Sequence, residues 1–123
     1  MNIDYTELSK TYDRNRCYTK RLIEEIIEFG SFEDGMKILD IGCGTGNVAL
    51  QLSELINGSI IGVEISISML KMAKERALTV VCTDVDNNPF PFANNSFDTV
   101  VGAYIIHQIN YVRFLFSECY RIL

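Results

Sequence analysis

The chain has 123 residues, of which 48% are hydrophobic and 22% charged, and this balance predicts one globular domain without a disordered tract. The net charge of −5 disfavours nucleic acid or an anionic membrane as the main partner, because those surfaces select clustered lysine and arginine. The sequence has neither a secretory signal pattern nor an apolar run long enough to span a bilayer, so we expect a cytoplasmic protein.

Residues 1–35 are predicted to form an N-terminal helical segment. Apolar residues recur at the helical period from Leu22 to Ile27, glutamates occupy the other side, and Gly30 lies where a helix would end. Before this helix, the tyrosine-containing stretch Tyr5–Tyr18 is expected to be a short helix or an arm.

Strands and helices alternate from residue 36 onward. The short apolar run Lys37–Ile41 is typical of a strand that is buried on both faces of a parallel sheet, and Ser66 is a candidate helix N-cap. Further elements are predicted at 47–56 (helix), 59–64 (strand), 67–77 (helix), 78–82 (strand), 97–105 (strand) and 112–123 (helix). The alternation predicts an α/β fold, in which an open, mainly parallel sheet carries helices on both faces within a single domain, 1–123.

A glycine-rich turn follows the first predicted strand. Gly42, Gly44 and Gly46 stand at alternate positions, and Asp40 lies two residues before the first of them. Glycine has no Cβ, so it takes positive φ readily and lets main-chain N–H groups approach a bound molecule. Because ligands of open α/β sheets bind beyond the carboxyl ends of the strands, we expect a binding site at this turn.

The other polar features of the chain fall at the same edge of the predicted sheet. Glu64 ends the second strand, and its carboxylate is suited to accept hydrogen bonds from two adjacent ribose hydroxyls. Ribose occurs in both dinucleotides and S-adenosylmethionine. The spacing G-x-G-x-G differs from the dinucleotide pattern G-x-G-x-x-G. The charge of Asp40 would repel a pyrophosphate but attract a sulfonium and an ammonium group, which favours S-adenosylmethionine.

Residues 36–123 resemble the N-terminal part of the class I S-adenosylmethionine-dependent methyltransferases, and most closely the small-molecule group that includes quinone-biosynthesis C-methyltransferases. The segments that carry the resemblance are, in order, 38–46, 62–66 with 69–70, 83–84, 91–92 with 96–100, and 114–123. The resemblance implies a Rossmann-like sheet of strand order 3-2-1-4, truncated before strand 5. It also implies S-adenosyl-L-methionine as methyl donor, S-adenosyl-L-homocysteine as product and a small-molecule acceptor.

The resemblance also implies which residues hold the cofactor. They are Asp40, Gly42, Cys43, Gly44, Gly46, Glu64, Ile65, Asp84, Val85 and Tyr104. Asp40 would orient the ligand's amino group, Glu64 would hold the ribose hydroxyls, and Asp84 would accept a hydrogen bond from the adenine amine. Asp84 is also a common type of turn residue. Tyr104 would lie near the sulfonium, and the tyrosines of the N-terminal segment would form a lid.

Candidates for catalysis are few. His107 could remove a proton from the acceptor, although a histidine at this position also suits a helix cap or a backbone contact, and Tyr104 is the other candidate. The four cysteines form no C-x-x-C pair and only one histidine accompanies them, so we expect neither a disulfide framework nor a metal site.

The predicted strand 97–105 would be an exposed, mostly apolar sheet edge, which favours pairing with a second copy in a homodimer. Three functions remain open from the sequence. They are a methyltransferase, an S-adenosylmethionine-binding module without catalysis of its own, and, less favoured by the glycine spacing, an NAD-dependent oxidoreductase.

Overall fold

The computed structural model describes Thr6 and residues 20–123. The tyrosine-containing stretch and its expected role as a lid therefore lie outside the described residues. No helix within the described part of the chain is long and apolar enough to cross a membrane.

The described helices and strands follow the predicted order, and they alternate except between β3 and β4, which a loop connects. The elements are α1 (Lys20–Phe29), β1 (Lys37–Ile41), α2 (Asn47–Leu55), β2 (Ser59–Glu64), α3 (Ile67–Glu75), β3 (Thr79–Cys82), β4 (Thr99–Val101), a 3₁₀ helix (Ile106–Gln108) and α4 (Val112–Ile122). The N-cap of α3 is Ser66, whose hydroxyl accepts a hydrogen bond from Met69 N, as the sequence predicts.

The four strands form one sheet in the order β3-β2-β1-β4, and every neighbouring pair is parallel. This arrangement confirms the predicted order 3-2-1-4. β1 lies in the interior of the sheet and is covered on both faces, so Ile38 and Leu39 are both fully buried although they point to opposite sides.

Each face of the sheet has its own apolar core. On one side, Leu39 and Val63 pack with Leu115 and Ile122 of α4. The opposite core contains Ile23 of α1, Ile38 of β1 and two residues of α2, Val48 and Leu52. Helices therefore cover both faces, as predicted, and each helix buries the apolar stripe that its periodicity indicates.

The prediction of a long fourth strand is wrong, because β4 comprises only three residues. After Gly102 the chain leaves the extended conformation, Tyr104 adopts a φ of 58°, and the 3₁₀ helix follows. A non-glycine residue with positive φ cannot continue a β-strand. β4 nevertheless lies at one edge of the described sheet, as expected. Asp98, just before it, has a structural role: its Oδ2 accepts a 2.7 Å hydrogen bond from Lys37 N.

The long loop between β3 and β4 is fastened to α4 by two charged side chains. Glu118 Oε2 accepts hydrogen bonds from Phe90 N (2.7 Å) and Arg121 Nη2 (2.8 Å). Arg121 also donates to the carbonyl oxygens of Phe90 and Phe92. The hydrogen bond from Arg121 holds the pKa of Glu118 below its ordinary value, against the opposing effect of burial.

Candidate functional site

A cavity of about 370 Å³ opens at the carboxyl ends of the strands. Its lining comes from the turns that follow all four strands and from the start of α3. The described lining residues are Gly42, Gly44, Val63, Glu64, Ile65, Met69, Thr83, Asp84, Val85, Asp86, Asn87, Ala103, Tyr104, Ile105, Gln108 and Ile109. Three of these carry carboxylates, and none of the described lining residues is a lysine, arginine or histidine.

The glycine turn brings main chain to this cavity, but its three glycines differ in position. Gly42, Gly44 and Gly46 all have left-handed φ, of 66°, 57° and 83°. Gly42 and Gly44 line the cavity, whereas Gly46 caps α2 behind it. A Cβ on Gly46 would collide with Leu78, and one on Gly42 would lie 2.6 Å from Ile105 Cδ1. The left-handed φ therefore favours glycine at both of these positions independently of any ligand, and a Cβ would in addition have to displace a neighbouring side chain.

Glu64 connects the second strand to the glycine turn. Its Oε2 accepts a hydrogen bond from Gly44 N (3.0 Å), and its Oε1 accepts from Ile65 N and Ser66 N (2.9 Å each). A carboxylate offers about four acceptor sites, so one remains, on Oε2. A ligand with two adjacent hydroxyls would donate one hydrogen bond to this site. Its second hydroxyl would replace one of the main-chain N–H donors on the carboxylate.

Asp40 and Cys43 lie behind the cavity instead of in its lining. Asp40 is 1% exposed, and its Oδ2 has no hydrogen-bond partner among the described residues. Burial, reinforced by the negative charge of Glu64, raises the pKa of Asp40 to about 7. Cys43 Sγ occupies the space above Gly62, where a Cβ would approach it to 2.6 Å. Burial also raises the pKa of the Cys43 thiol, so its position indicates packing rather than reactivity.

The turn after β3 is held together by Asp84. Its Oδ1 accepts a hydrogen bond from Asp86 N (3.0 Å) and its Oδ2 accepts from Asn87 Nδ2 (2.9 Å). Asp84 thus has the role of a turn residue, and it lines the cavity as well. Val85 and Ile65 are also in the lining, one buried and one exposed.

The two catalytic candidates are separated by the structure. Tyr104 lines the cavity with positive φ, a conformation that often marks functional sites. His107 is exposed in the 3₁₀ helix, its Nε2 lies 3.4 Å from Gln108 Nε2, and it is outside the cavity lining. Gln108 and Ile109 also line the cavity, at the end of the 3₁₀ helix, and no motif in the sequence indicates them.

Comparisons with known proteins point to one family. Residues 38–123 match the model of a family described as a methyltransferase domain. The chain is 28% identical over 133 residues to demethylmenaquinone methyltransferase of Staphylococcus aureus, across 97% of its own length and 54% of that protein's. It is 33% identical over 117 residues to phosphoethanolamine N-methyltransferase 2 of Caenorhabditis elegans, across 91% of its own length and 25% of that protein's.

The fold is also found among solved structures. A SAM-dependent methyltransferase from Aquifex aeolicus superimposes with a TM-score of 0.77 over 98% of this chain and 68% of that one, with 22% identity. At this identity the likeness shows the shared fold. The chain spans about half the length of the staphylococcal relative and a quarter of the nematode relative.

Proposed function

The chain belongs to the class I S-adenosylmethionine-dependent methyltransferase family, whose cofactor is S-adenosyl-L-methionine, and we propose that it binds this cofactor in the cavity and methylates a small molecule. The charge of the cavity carries the proposal. Glu64, Asp84 and Asp86 are in its described lining, without a basic side chain among those residues. Such a site suits a ligand with sulfonium and ammonium groups better than one with a pyrophosphate.

The residues present fit the cofactor in three respects. A cavity of about 370 Å³ lies within the range of small-ligand sites. Gly42 and Gly44 supply main chain without side chains at its wall. Asp40, which lies just behind the turn, has a buried Oδ2 that lacks a partner among the described residues, so a nearby cation would compensate it.

The proposed contacts are those that the family resemblance implies. Glu64 would hold the ribose hydroxyls, Ile65 and Val85 would lie beside the adenine, and Asp84 would accept from its amine; all four residues line the cavity, which supports these roles. Asp40 would orient the amino group of the cofactor from behind the turn, and Tyr104, which lines the cavity, would lie near the sulfonium. When bound, the cofactor supplies a methyl group already activated on sulfur, so the protein's task is mainly to align an acceptor.

The acceptor is proposed to be a small molecule. Two relatives are named for small acceptors, a demethylmenaquinone and phosphoethanolamine. The wall formed by Tyr104, Ile105 and Ile109 is largely apolar and faces the same cavity. An acceptor of low nucleophilicity would require a base. His107 lies outside the lining, so we assign no general base in this chain.

The first test is calorimetric titration with S-adenosylhomocysteine and, separately, with NAD. We expect binding of the former, and Glu64→Gln should weaken it roughly 10- to 100-fold, the equivalent of one hydrogen bond to a charged group. Glu54→Gln removes the same charge from an exposed position on α2 and should leave the affinity unchanged. Binding of NAD without binding of S-adenosylhomocysteine would overturn the proposal.

Binding alone does not distinguish an enzyme from a binding module. A turnover assay with quinone and amino-alcohol acceptors, which follows S-adenosylhomocysteine release, makes this distinction. Product formation that depends on the acceptor supports the proposed methyl transfer. Tight binding without turnover on any acceptor would favour the module.

A further inference from the structure

Two segments, which follow the two edge strands β3 and β4 of the described sheet, both line the cavity. One wall is the turn after β3, which includes Asp84 and Asn87, and the other is the segment 104–109 after β4. Neither wall is a strand or a long helix, so the sheet does not by itself fix the distance between them. A side chain that joins the walls would set the width of the cavity.

Asp86 makes this connection. Its Oδ1 accepts hydrogen bonds from Asn110 N (3.0 Å) and Tyr111 N (2.8 Å). Its Oδ2 accepts from Asn110 N (3.1 Å) and Asn110 Nδ2 (2.7 Å). Tyr111 is the N-cap residue of α4 and makes no side-chain cap of its own, so Asp86, 25 residues earlier in the chain, supplies a carboxylate to the N-terminus of that helix.

Three N–H donors converge on the carboxylate of Asp86. Asn110 N is shared between its two oxygens, Tyr111 N donates to Oδ1, and Asn110 Nδ2 donates to Oδ2. Burial alone would raise the pKa of Asp86, but these hydrogen bonds outweigh it and hold the pKa below its ordinary value. Asp86 therefore remains ionised and acts on other residues.

The main chain of Asp86 belongs to the wall that follows β3. Its N–H donates to Asp84 Oδ1, which orients the side chain proposed to meet the adenine amine. The residue pair Gln108 and Ile109 directly precedes Asn110 and also lines the cavity. Asp86 is thus hydrogen-bonded both to the Asp84 side chain and to Asn110, the residue that follows this pair.

We propose that Asp86 is a positioning residue for the cofactor. It sets the separation of the two walls, so that Asp84 and the segment Gln108–Ile109 contact the same ligand. The proposal rests on the proposed binding of S-adenosylmethionine and adds a residue that acts through its hydrogen bonds to Asn110 and Tyr111.

Glu118 provides a matched control. It is also a buried carboxylate that accepts a main-chain N–H across the same loop and helix, from Phe90 (2.7 Å). Neither Glu118 nor Phe90 lines the cavity. Loss of either carboxylate should lower the thermal unfolding midpoint, whereas only the loss of Asp86 should affect the ligand.

The experiment compares Asp86→Asn, Asn110→Ala and Glu118→Gln with the native protein, by calorimetric titration with S-adenosylhomocysteine well below each unfolding midpoint. We expect Asp86→Asn to raise Kd roughly tenfold, as for one lost charge-assisted contact. Asn110→Ala removes only the 2.7 Å side-chain bond and should raise Kd about two- to threefold. Glu118→Gln should leave Kd within about twofold.

The outcomes distinguish failure of the positioning role from failure of the proposed function. Equal Kd for Asp86→Asn and the native protein, or an equal rise for Glu118→Gln, overturns the positioning role while the proposed function stands. If Asp86→Asn does not fold, the graded effect of Asn110→Ala against Glu118→Gln decides the question. Failure of the native protein to bind S-adenosylhomocysteine overturns the proposed function and the positioning role with it.

Discussion

The protonation of Asp40 couples the stability of the ligand-free protein to pH. The side chain is 1% exposed, its Oδ2 lacks a partner among the described residues, and Glu64 adds a nearby negative charge. These surroundings disfavour the charged form, so the folded protein keeps the Asp40 proton at pH values where the unfolded chain has released it. The substitution Asp40→Asn removes the charge and retains the volume.

The size of the effect follows from the pKa. Burial raises the pKa of Asp40 from 3.8 to about 7, and one pKa unit corresponds to about 1.36 kcal/mol. The folded state binds more protons than the unfolded state between these values, so the free energy of unfolding falls as pH rises through this window. The loss is on the order of 4 kcal/mol and is complete above about pH 7, a large part of the ~5–15 kcal/mol of a typical domain.

Urea unfolding of the ligand-free protein at several pH values measures this directly. Other titrating groups contribute equally to both proteins, so the difference in the free energy of unfolding between the native protein and Asp40→Asn depends mainly on Asp40. We expect it to change by roughly 4 kcal/mol in favour of the variant between about pH 4 and pH 8. Glu64→Gln should reduce the total loss of stability, because it removes the second cause of the raised pKa and so lowers the pH at which the folded protein releases the Asp40 proton. Parallel curves for the native protein and Asp40→Asn across this range would refute the reasoning.

Two further predictions concern the glycine turn and the edge of the sheet. Gly42→Ala should lower the free energy of unfolding by at least ~1–2 kcal/mol, since it places a side chain at positive φ and adds a contact with Ile105. Ile105→Ala in the same chain should recover only the contact part, and full recovery in urea unfolding would exclude backbone strain as a cause. The edge strand β4 favours pairing with a second copy in a homodimer, and light scattering that finds a clean monomer at high concentration would contradict this prediction.

The sequence predicts the elements whose ends are determined locally. β1 has the predicted bounds because its buried apolar run stops at Gly42, whose positive φ ends the strand. The start of α3 is encoded by Ser66, a residue type that caps helices through its own side chain. Both signals act over a few residues, and no distant contact competes with them.

The sequence-based predictions are wrong where residues distant in the chain decide the local conformation. The apolar pattern continues past Gly102, so it predicts a long strand, but Ile105 turns back to pack against Gly42 and Ile41 of the neighbouring strand's end. The local sequence does not indicate the role of Asp86 either, because its hydrogen-bond partners lie 24 and 25 residues later in the chain. In the sequence it is one of several polar residues in a loop.

The conformation of the glycine turn depends both on its local sequence and on contacts with residues distant in the chain. Its spacing correctly predicts left-handed backbone at all three positions, yet Gly46 makes room for Leu78, and Gly42 makes room for Ile105 while it lines the cavity. The motif therefore serves packing as well as ligand approach. It also places Gly44 N on the carboxylate of Glu64, whose charge contributes to the raised pKa of Asp40. Because turn, strand end and buried acid interact in this way, a cationic ligand at this edge would relieve a repulsion that the fold itself creates.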